Sequence, residues 1–516
     1  MKAWAWIAKL VAPAKAGAQD GPLEELLRRG VEYQHAAELG DAEDCFREAL
    51  LRQPENPVAL RLLADVLGVR GYAHQERSEL EAAVECYLEA LALAPKHAQA
   101  KVHSNLGNAY RSLGRAEEAV AAYREAIAAD AGFAEAHLNL GIALHQAGDA
   151  TEAAAHYRIA LQRRPELAAA ALNLGLLLEG DGDAQGAVEY YRRAIAAKPD
   201  FAEAHFNYAL QLLLAGDFSA GWEEYEWRLR LPALKQYLPY ADRMRWDGAD
   251  LGGKIILIYT EQGFGDALQF ARYVPLVAER QGKVIVSCQP QLKTLFQQAM
   301  RDTLVVDGDE PPPASDFCCS LLSLPRIFGA TLATIPAQVP YLHADAGKAA
   351  RWQARLAADG SALKIGVVWA TEAKSRAAPL KSLSLGMLAP LMAVPGVTFY
   401  SLQKGPAAAE ARSAPEGMRL ADVEGELEDF SDTAALISQL DLVVTIDTAV
   451  AHLAGAMGKP VWTLTHWPPD WRWLLGRDDS PWYPTMRLFR RAQTDAWNDV
   501  ILRVGQALQH LAGQRS

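Results

Sequence analysis

Two hydrophobic patterns divide the chain of 516 residues. Up to about Arg230, apolar residues recur at helical spacing in units that repeat along the chain. Beyond 250, short β-branched runs alternate with helical segments. Repeated helix pairs predict a stacked array, and alternating strands and helices predict parallel sheets. We therefore expect an all-α repeat region followed by an α/β region.

The helical units carry small and large residues at fixed places. Glycines are predicted where the two helices of a unit cross closely, and aromatic residues fill the second helix. Five near-standard units run from about Leu23 to Phe201, with an insertion of 7 residues between the first two. A sixth unit ends in an aromatic-rich segment at 216–228, which is expected to cap the array and pack on something else. The glycines are Gly30, Gly107, Gly141 and Gly175, and the aromatics are Phe46, Tyr87, Tyr123, Tyr157, Tyr191 and Tyr225.

An asparagine ladder, Asn105, Asn139, Asn173 and Asn207, has a spacing of 34 on the first helix of each unit. That is the period of the tetratricopeptide repeat, whose helix pairs form a superhelix with a concave groove. A carboxamide both donates and accepts, so a row of them can bond to the main chain of an extended peptide. The ladder is predicted to bind an acceptor polypeptide. The alternative is that each asparagine bonds across to the next repeat.

Composition and charge argue against several classes of protein. The net charge is −12 and no basic run occurs, which argues against nucleic acid as a partner. The 5 cysteines form no spaced pair typical of a metal site or disulfide framework, which fits reduced thiols in a cytosol. Lys9 interrupts the apolar N-terminal segment, 1–20, and this disfavours a signal peptide. No apolar run reaches the roughly 18 residues of a membrane span, so we expect a cytoplasmic protein with no span.

The α/β region is predicted to form two lobes, 251–345 and 362–512, after repeats over 21–231 and a linker over 232–250. Parallel sheets place ligands at the carboxyl ends of their strands, in the cleft between lobes. Predicted strands cover 254–259, 283–288, 303–307, 364–369, 397–402, 442–446 and 460–464, and predicted helices cover 267–280, 290–300 and 495–512.

The first candidate for chemistry follows the strand at 254–259. Gly263 and Gly265 are predicted to turn the chain tightly and to leave Asp266 at the start of a helix, with its carboxylate aimed into the cleft. An aspartate at such a place is also a favoured N-cap, worth about 1 kcal/mol. The residues leave both interpretations open.

The second candidate opens the helix after the strand at 442–446, where Asp447 comes first. Main-chain N–H groups at the helix start, with the hydroxyl of Thr448, are predicted to bind a phosphate. His452 lies on the same helix and is either a ligand contact or a core histidine bonded to the backbone.

Together, 263–266 and 447–460 resemble the heptosyltransferase family of inverting, nucleotide-sugar-dependent glycosyltransferases with the two-lobed GT-B fold. With its repeats, the chain resembles the repeat-bearing bacterial glycosyltransferases, including those that modify flagellin. Its asparagine ladder is similar to that of the O-linked N-acetylglucosamine transferases. The resemblance implies a nucleotide-sugar donor with no metal or other cofactor, and an acceptor protein such as flagellin. It implies Asp266 as general base and a donor-binding set of Gly263, Gly265, Lys381, Asp447, Thr448, His452 and Arg472.

Parts of the chain depart from the heptosyltransferase pattern. Before Lys381 the sequence offers Lys374 and Arg376 as alternative contacts for the leaving phosphate. The segment 468–484 matches the repeat-bearing relatives instead, and its Arg472 is expected to pair a donor carboxylate. Three tryptophans there either stack on sugar or pin the final helix: Trp471, Trp473 and Trp482.

Three functions remain open. The first is a protein O-glycosyltransferase whose repeats present the acceptor. The second is a transferase acting on a glycan or lipid, with repeats that serve assembly. The third is a repeat scaffold with an inactive transferase domain. The identities of the sugar and the nucleotide do not follow from the residues.

Overall fold

The computed structural model describes residues 22–93, 99–232, 240, 243–261, 263–358, 360–371, 378–414 and 418–514. The predicted N-terminal segment, 1–20, lies outside them. The chain forms two compact units, one running to Leu178 and including Gln185–Phe201, the other comprising Glu179–Ala184 and Ala202–Ser516.

Helix pairs make up the described part of the first unit. Capping residues set several helix ends: Asn56 accepts hydrogen bonds from the N–H groups at the start of one helix, and Gly148, with φ of 93°, ends another in the left-handed region. The helices are α1 (Leu23–His35), α2 (Leu39–Arg52), α3 (Pro57–Glu76), α4 (Leu80–Leu93), α5 (Ala100–Ser112), α6 (Ala116–Ala129), α7 (Ala134–Ala147), α8 (Ala150–Arg163), α9 (Ala168–Gly180) and α10 (Ala184–Ala197).

A glycine facing an aromatic ring joins the two helices of each pair. A Cβ added to Gly141 would lie 2.6 Å from the ring of Tyr157, so the helices approach too closely there for any larger residue. The predicted crossings are confirmed. Gly71 makes the same contact with Tyr87, and the insertion that lengthens α3 concealed it in the sequence. The equivalent pairs are Gly30 with Phe46, Gly107 with Tyr123, and Gly175 with Tyr191.

The second unit contains the sixth helix pair, α11 (Ala202–Leu214) and α12 (Phe218–Tyr225), followed by a 3-10 turn, Glu226–Arg230. Trp222 is buried, and its indole N–H donates to the carbonyl oxygen of Ala330 at 3.0 Å. Phe218 and Trp222 pack against the α/β region, which confirms the predicted packing of the aromatic segment.

A sheet of 5 parallel strands forms the first lobe, in the order β1-β5-β2-β3-β4. The predicted linker contains the short strand β1. Proline at 275 lacks the N–H that a continuous helix needs, and the helix predicted over 267–280 is divided accordingly. The elements are β1 (Met244–Arg245), β2 (Ile255–Tyr259), α13 (Phe264–Phe270), α14 (Val274–Ala278), β3 (Lys283–Cys288), α15 (Pro290–Ala299), β4 (Leu304–Asp307), β5 (Phe317–Ser320), α16 (Leu324–Ile327) and α17 (Ala346–Ala357).

A sheet of 6 parallel strands forms the second lobe, in the order β11-β10-β9-β6-β7-β8. The two-lobed parallel architecture predicted from the sequence is therefore confirmed. The elements are β6 (Leu363–Val368), α18 (Ala378–Lys381), α19 (Ala389–Met392), β7 (Val397–Ser401), α20 (Ala409–Arg412), β8 (Leu420–Asp422), α21 (Phe430–Ser438), β9 (Leu442–Ile446), α22 (Ala449–Ala456), β10 (Val461–Thr465), β11 (Met486–Arg490) and α23 (Trp497–Gly513).

The tryptophans at 471, 473 and 482 and the final helix, α23, belong to different hydrophobic clusters. Val504 and Leu508 of α23 pack in a cluster with residues of β6 and β7. The tryptophans pack instead with α12 and α13. The interpretation that these tryptophans pin the final helix is therefore wrong. All 5 cysteines are free and buried.

Candidate functional site

A cavity of about 800 Å³ opens where carboxyl ends of strands from both sheets meet. It is lined by residues that follow β2, β6, β7, β9 and β10, as a ligand cleft in parallel sheets would be. Every residue of the predicted catalytic and donor-binding sets lines it: Gly263, Gly265, Asp266, Lys381, Asp447, Thr448, His452 and Arg472. Lys374 and Arg376 lie outside the described residues.

Asp266 is the third residue of α13, not its N-cap. Gly263 occupies the N-cap position, so the N-cap interpretation of Asp266 is wrong. Arg472 donates from Nη2 to Oδ1 of Asp266. Burial raises the pKa of Asp266, against the opposing charge of Arg472. The site therefore holds a carboxylate with increased proton affinity.

Arg472 connects two carboxylates. Its Nη1 also donates to Oδ1 of Asp470 at 2.9 Å, and its Nε donates to the side-chain oxygen of Gln269 at 2.8 Å. Although burial acts in the opposite direction, the charges of Arg472 and Lys381 lower the pKa of Asp470. Arg472 is thus paired with carboxylates of the chain itself, and its expected pairing with a donor carboxylate stays a prediction.

A second ion pair lies across the cavity lining. Lys381 Nζ lies 2.6 Å from Oδ2 of Asp447. Burial disfavours its ammonium group, but the charges of Asp447 and Asp470 outweigh that effect and raise the pKa of Lys381. Lys381 therefore remains a cation in the cavity.

Thr448 and His452 both belong to the helix that follows β9. Thr448 is the N-cap residue of α22, yet its side chain makes no capping bond, and its hydroxyl lies 3.1 Å from that of Thr445. His452 Nδ1 lies 3.0 Å from the hydroxyl of Tyr483, and its ring stacks on Trp473. Burial lowers the pKa of His452 to about 3, so the imidazole is neutral at ordinary pH. It is bonded to a side chain, not to the backbone.

Gly263 and Gly265 do not form the tight turn that was expected of them. Gly263 has extended backbone, with φ of −68° and ψ of 165°. Gly265 lies inside α13, where an added Cβ would be 2.9 Å from Cδ2 of His452. Gly265 therefore allows α13 to approach α22 closely, which brings Asp266 and Thr448 into one cavity.

The sixth helix pair also lines the cavity, a contribution that the sequence did not indicate. Phe206 and Leu210 of α11 and Tyr225 of α12 lie along it. Asp470 was missed as well, although its position two residues before Arg472 offered a signal. Of the three tryptophans, Trp471 lines the cavity, whereas Trp473 and Trp482 are fully buried and are not placed to stack on a sugar.

The asparagines of the ladder are partly buried, and three of them donate hydrogen bonds. Asn139 Nδ2 donates to Ser104 Oγ at 3.4 Å, across to the preceding repeat. Asn173 and Asn207 donate to carbonyl oxygens of their own helices, at 2.8 Å and 2.7 Å. A bond between repeats thus occurs at Asn139, but it joins the preceding repeat and not the next one as expected. Peptide binding by the ladder stays a prediction.

Family comparisons agree with these two kinds of architecture. Residues 64–97, 107–148 and 172–226 match tetratricopeptide-repeat models, and residues 396–466 match glycosyltransferase family 9 (heptosyltransferase). Separate parts of the chain are thus similar to tetratricopeptide repeats and to glycosyltransferase family 9. The resemblance inferred from the sequence is confirmed to that extent.

Individual relatives cover parts of the chain. Protein FlbA of Caulobacter vibrioides is 30% identical over 315 residues, which are 57% of this chain and 52% of FlbA. The chain thus spans about half the length of this curated relative. The protein in the crystal structure of MamA is 22% identical in sequence to this chain. The match covers 34% of this chain and 96% of the MamA chain, with a TM-score of 0.28. Pseudomonas aeruginosa pilF is 22% identical, covers 42% of this chain and 93% of its own, and has a TM-score of 0.32.

Within the described ranges, no group of three or more histidine, cysteine, aspartate or glutamate side chains is arranged to hold a metal ion. In the same part of the chain, no helix combines the length and apolarity that crossing a membrane requires.

Proposed function

We propose that the chain transfers a sugar, with inversion, from a nucleotide-sugar to a serine or threonine hydroxyl of a polypeptide. The observation that carries this proposal is the single cavity that brings together Asp266, Lys381 and the start of α22. The family 9 match over 396–466 supports it, since that segment includes Asp447, Thr448 and His452. The reaction is proposed to need no metal ion or further cofactor and to take place in the cytoplasm.

Asp266 is assigned as general base. A hydroxyl is a weak nucleophile, so its proton passes to the carboxylate as its oxygen attacks the anomeric carbon. Arg472 bonds to Oδ1 of Asp266, and we assign Oδ2 to the acceptor proton. The raised pKa of Asp266 suits this step because a stronger base removes more of the proton.

The bond from the anomeric carbon to the donor phosphate breaks on the opposite face. The electron pair leaves with the nucleotide, and its negative charge needs preorganised positive partners. Lys381 and the main-chain N–H groups that follow Thr448 are assigned to it, because Thr448 leaves the helix start without a side-chain cap. The donor phosphate would then share Lys381 with Asp447.

The first experiment measures nucleotide release from UDP-, GDP-, CMP-, ADP- and dTDP-sugars with water as acceptor. We expect release from one donor, and a loss of about 10²- to 10⁴-fold in Asp266→Asn, the usual contribution of general base catalysis. Asp499→Asn is the matched control, because Asp499 is also the third residue of its helix and accepts from the N-cap N–H at 2.9 Å. Equal release by Asp266→Asn and wild type, or no release by wild type, would contradict the proposal.

The second experiment identifies the acceptor class by intact mass, with flagellin co-expressed as a candidate protein. We expect a sugar-sized increment that disappears with Asn139→Ala combined with Asn173→Ala, while nucleotide release continues. Asn498→Ala, on the exposed surface of α23, is the control. Unchanged protein modification in the ladder variant would remove the ladder from acceptor binding. Transfer only to an isolated glycan would assign the enzyme to the second function.

A further inference from the structure

One side of the cavity is apolar and plays no part in the steps assigned above. It consists of Phe206, Leu210, Tyr225 and Trp471, which we call the apolar wall. The Tyr225 and Trp471 rings pack with centroids 6.3 Å apart. Phe206 and Leu210 are only partly buried, so their side chains offer surface to a ligand.

The apolar wall lies beside the proposed general base. The guanidinium of Arg472 stacks over Trp471 at 4.3 Å from the ring centroid, and the same guanidinium bonds to Asp266. Tyr225 lines the same cavity as Asp266 and Arg472. A group resting on this wall is therefore adjacent to the hydroxyl that Asp266 would deprotonate.

The chemistry of α11 suits an extended polypeptide. Asn207 follows Phe206 directly, and Leu210 lies three residues further on, so Asn207 and Leu210 share a helix face. A carboxamide can bond to a peptide main chain, while a neighbouring apolar surface takes a side chain. An aliphatic side chain gains more from contact with leucine than a hydroxyl-rich sugar does, because burial free energy follows the apolar area removed from water.

We propose that the apolar wall binds an apolar side chain of the acceptor, within about two positions of the modified serine or threonine. The wall thereby sets a sequence preference for the polypeptide that is glycosylated. This inference rests on the proposed function, and it adds a specificity site that the donor chemistry does not require.

The test uses the full chain, the donor identified by nucleotide release, and a library of peptides with one central threonine and varied neighbours. We expect wild type to prefer leucine, isoleucine, valine, phenylalanine or methionine at one neighbouring position. Leu210→Glu should modify those peptides about 10-fold less, the loss expected when an apolar contact is removed. It should instead prefer lysine or arginine at the same position, and nucleotide release with water should stay unchanged.

Leu212→Glu is the matched control, since Leu212 is partly exposed on the same helix but does not line the cavity. Phe206→Ala provides a second variant, for which we expect a weaker apolar preference without the change to basic residues. An unchanged preference in Leu210→Glu and Phe206→Ala overturns the inference. The inference is also overturned if the modification of every peptide falls equally and nucleotide release becomes slower. That result would place the donor sugar on the apolar wall and leave the proposed function intact. Failure of wild type to release nucleotide refutes the proposed function itself, and the inference with it.

Discussion

Replacing Arg228 by alanine should destabilise the second unit strongly. Arg228 is fully buried, and its Nη2 lies 2.6 Å from Oε1 of Glu261, which is also buried. The guanidinium further donates to Glu226 at 2.8 Å and to the hydroxyls of Ser320 and Ser323 at 3.2 Å and 2.9 Å. This network ties the 3-10 turn after the sixth helix pair to the carboxyl ends of β2 and β5.

The expected magnitude follows from the charge that would be left behind. Removing one partner of a buried ion pair costs about 3–5 kcal/mol, because the remaining charge is neither solvated nor neutralised. At roughly 2 °C per kcal/mol for a large domain, the Tm should fall by about 6–10 °C. Replacing Arg228 and Glu261 together by methionine should recover most of this loss, since an apolar pair of similar volume removes the stranded charge.

Tryptophan fluorescence can follow this unit selectively. All tryptophans other than Trp4 and Trp6 lie between Trp222 and Trp497, within the second unit. Arg230→Ala is the matched control, because Arg230 is exposed in the same 3-10 turn and should cost less than about 1 kcal/mol. The reasoning is refuted if Arg228→Ala loses no more than this control, or if the double variant is less stable than the single one.

Two further predictions concern stability. Gly141→Ala should destabilise the repeats by about 1–3 kcal/mol through overpacking against Tyr157, measured by thermal unfolding in far-ultraviolet circular dichroism. The control Gly40→Ala, where an added Cβ meets nothing within 4 Å, should be neutral or slightly stabilising. Equal stability of the two variants would contradict the close helix contact. Burial lowers the pKa of His452 to about 3, so the imidazole stays neutral in the folded protein. In the unfolded chain the same imidazole takes up a proton below a pH of about 6.5. The unfolded state is therefore favoured increasingly as the pH falls, and the protein loses stability. In urea unfolding between pH 7 and 5, His452→Gln should therefore lose about 2 kcal/mol less than wild type, at about 1.36 kcal/mol per pH unit, and parallel losses in the two proteins would exclude this cause.

Much of the fold was predictable because the hydrophobic periodicity of a short segment indicates whether it forms a helix or a strand. The run at 442–446 is β9 and the run at 283–288 is β3, as their β-branched patterns predict. The strands β1, β5, β8 and β11 were missed because none of them contains a β-branched residue, so each depends on pairing with a neighbour. Gly71 escaped notice because the insertion in α3 shifted it out of the regular spacing.

The candidate site, too, was predictable only in part. Motifs after β2 and β9 pointed to Asp266, Asp447 and Thr448, because turn residues at strand ends are visible in the sequence. The pairing of these aspartates with Arg472 and Lys381 was not visible in the sequence. Arg472 lies 206 residues from Asp266, and Lys381 lies 66 residues from Asp447, so only the folded chain brings each pair together.

By itself, the sequence determined the repeat architecture, the parallel strands and the segments that line the cavity, since periodicity and turn chemistry act over a few residues. Tertiary structure alone decided that Gly265 serves helix packing, that Arg472 is shared by two carboxylates, and that the sixth helix pair supplies a wall beside Asp266. Charge pairing, burial and the shape of a cavity depend on distances between residues that are remote along the chain, and no local pattern encodes those distances.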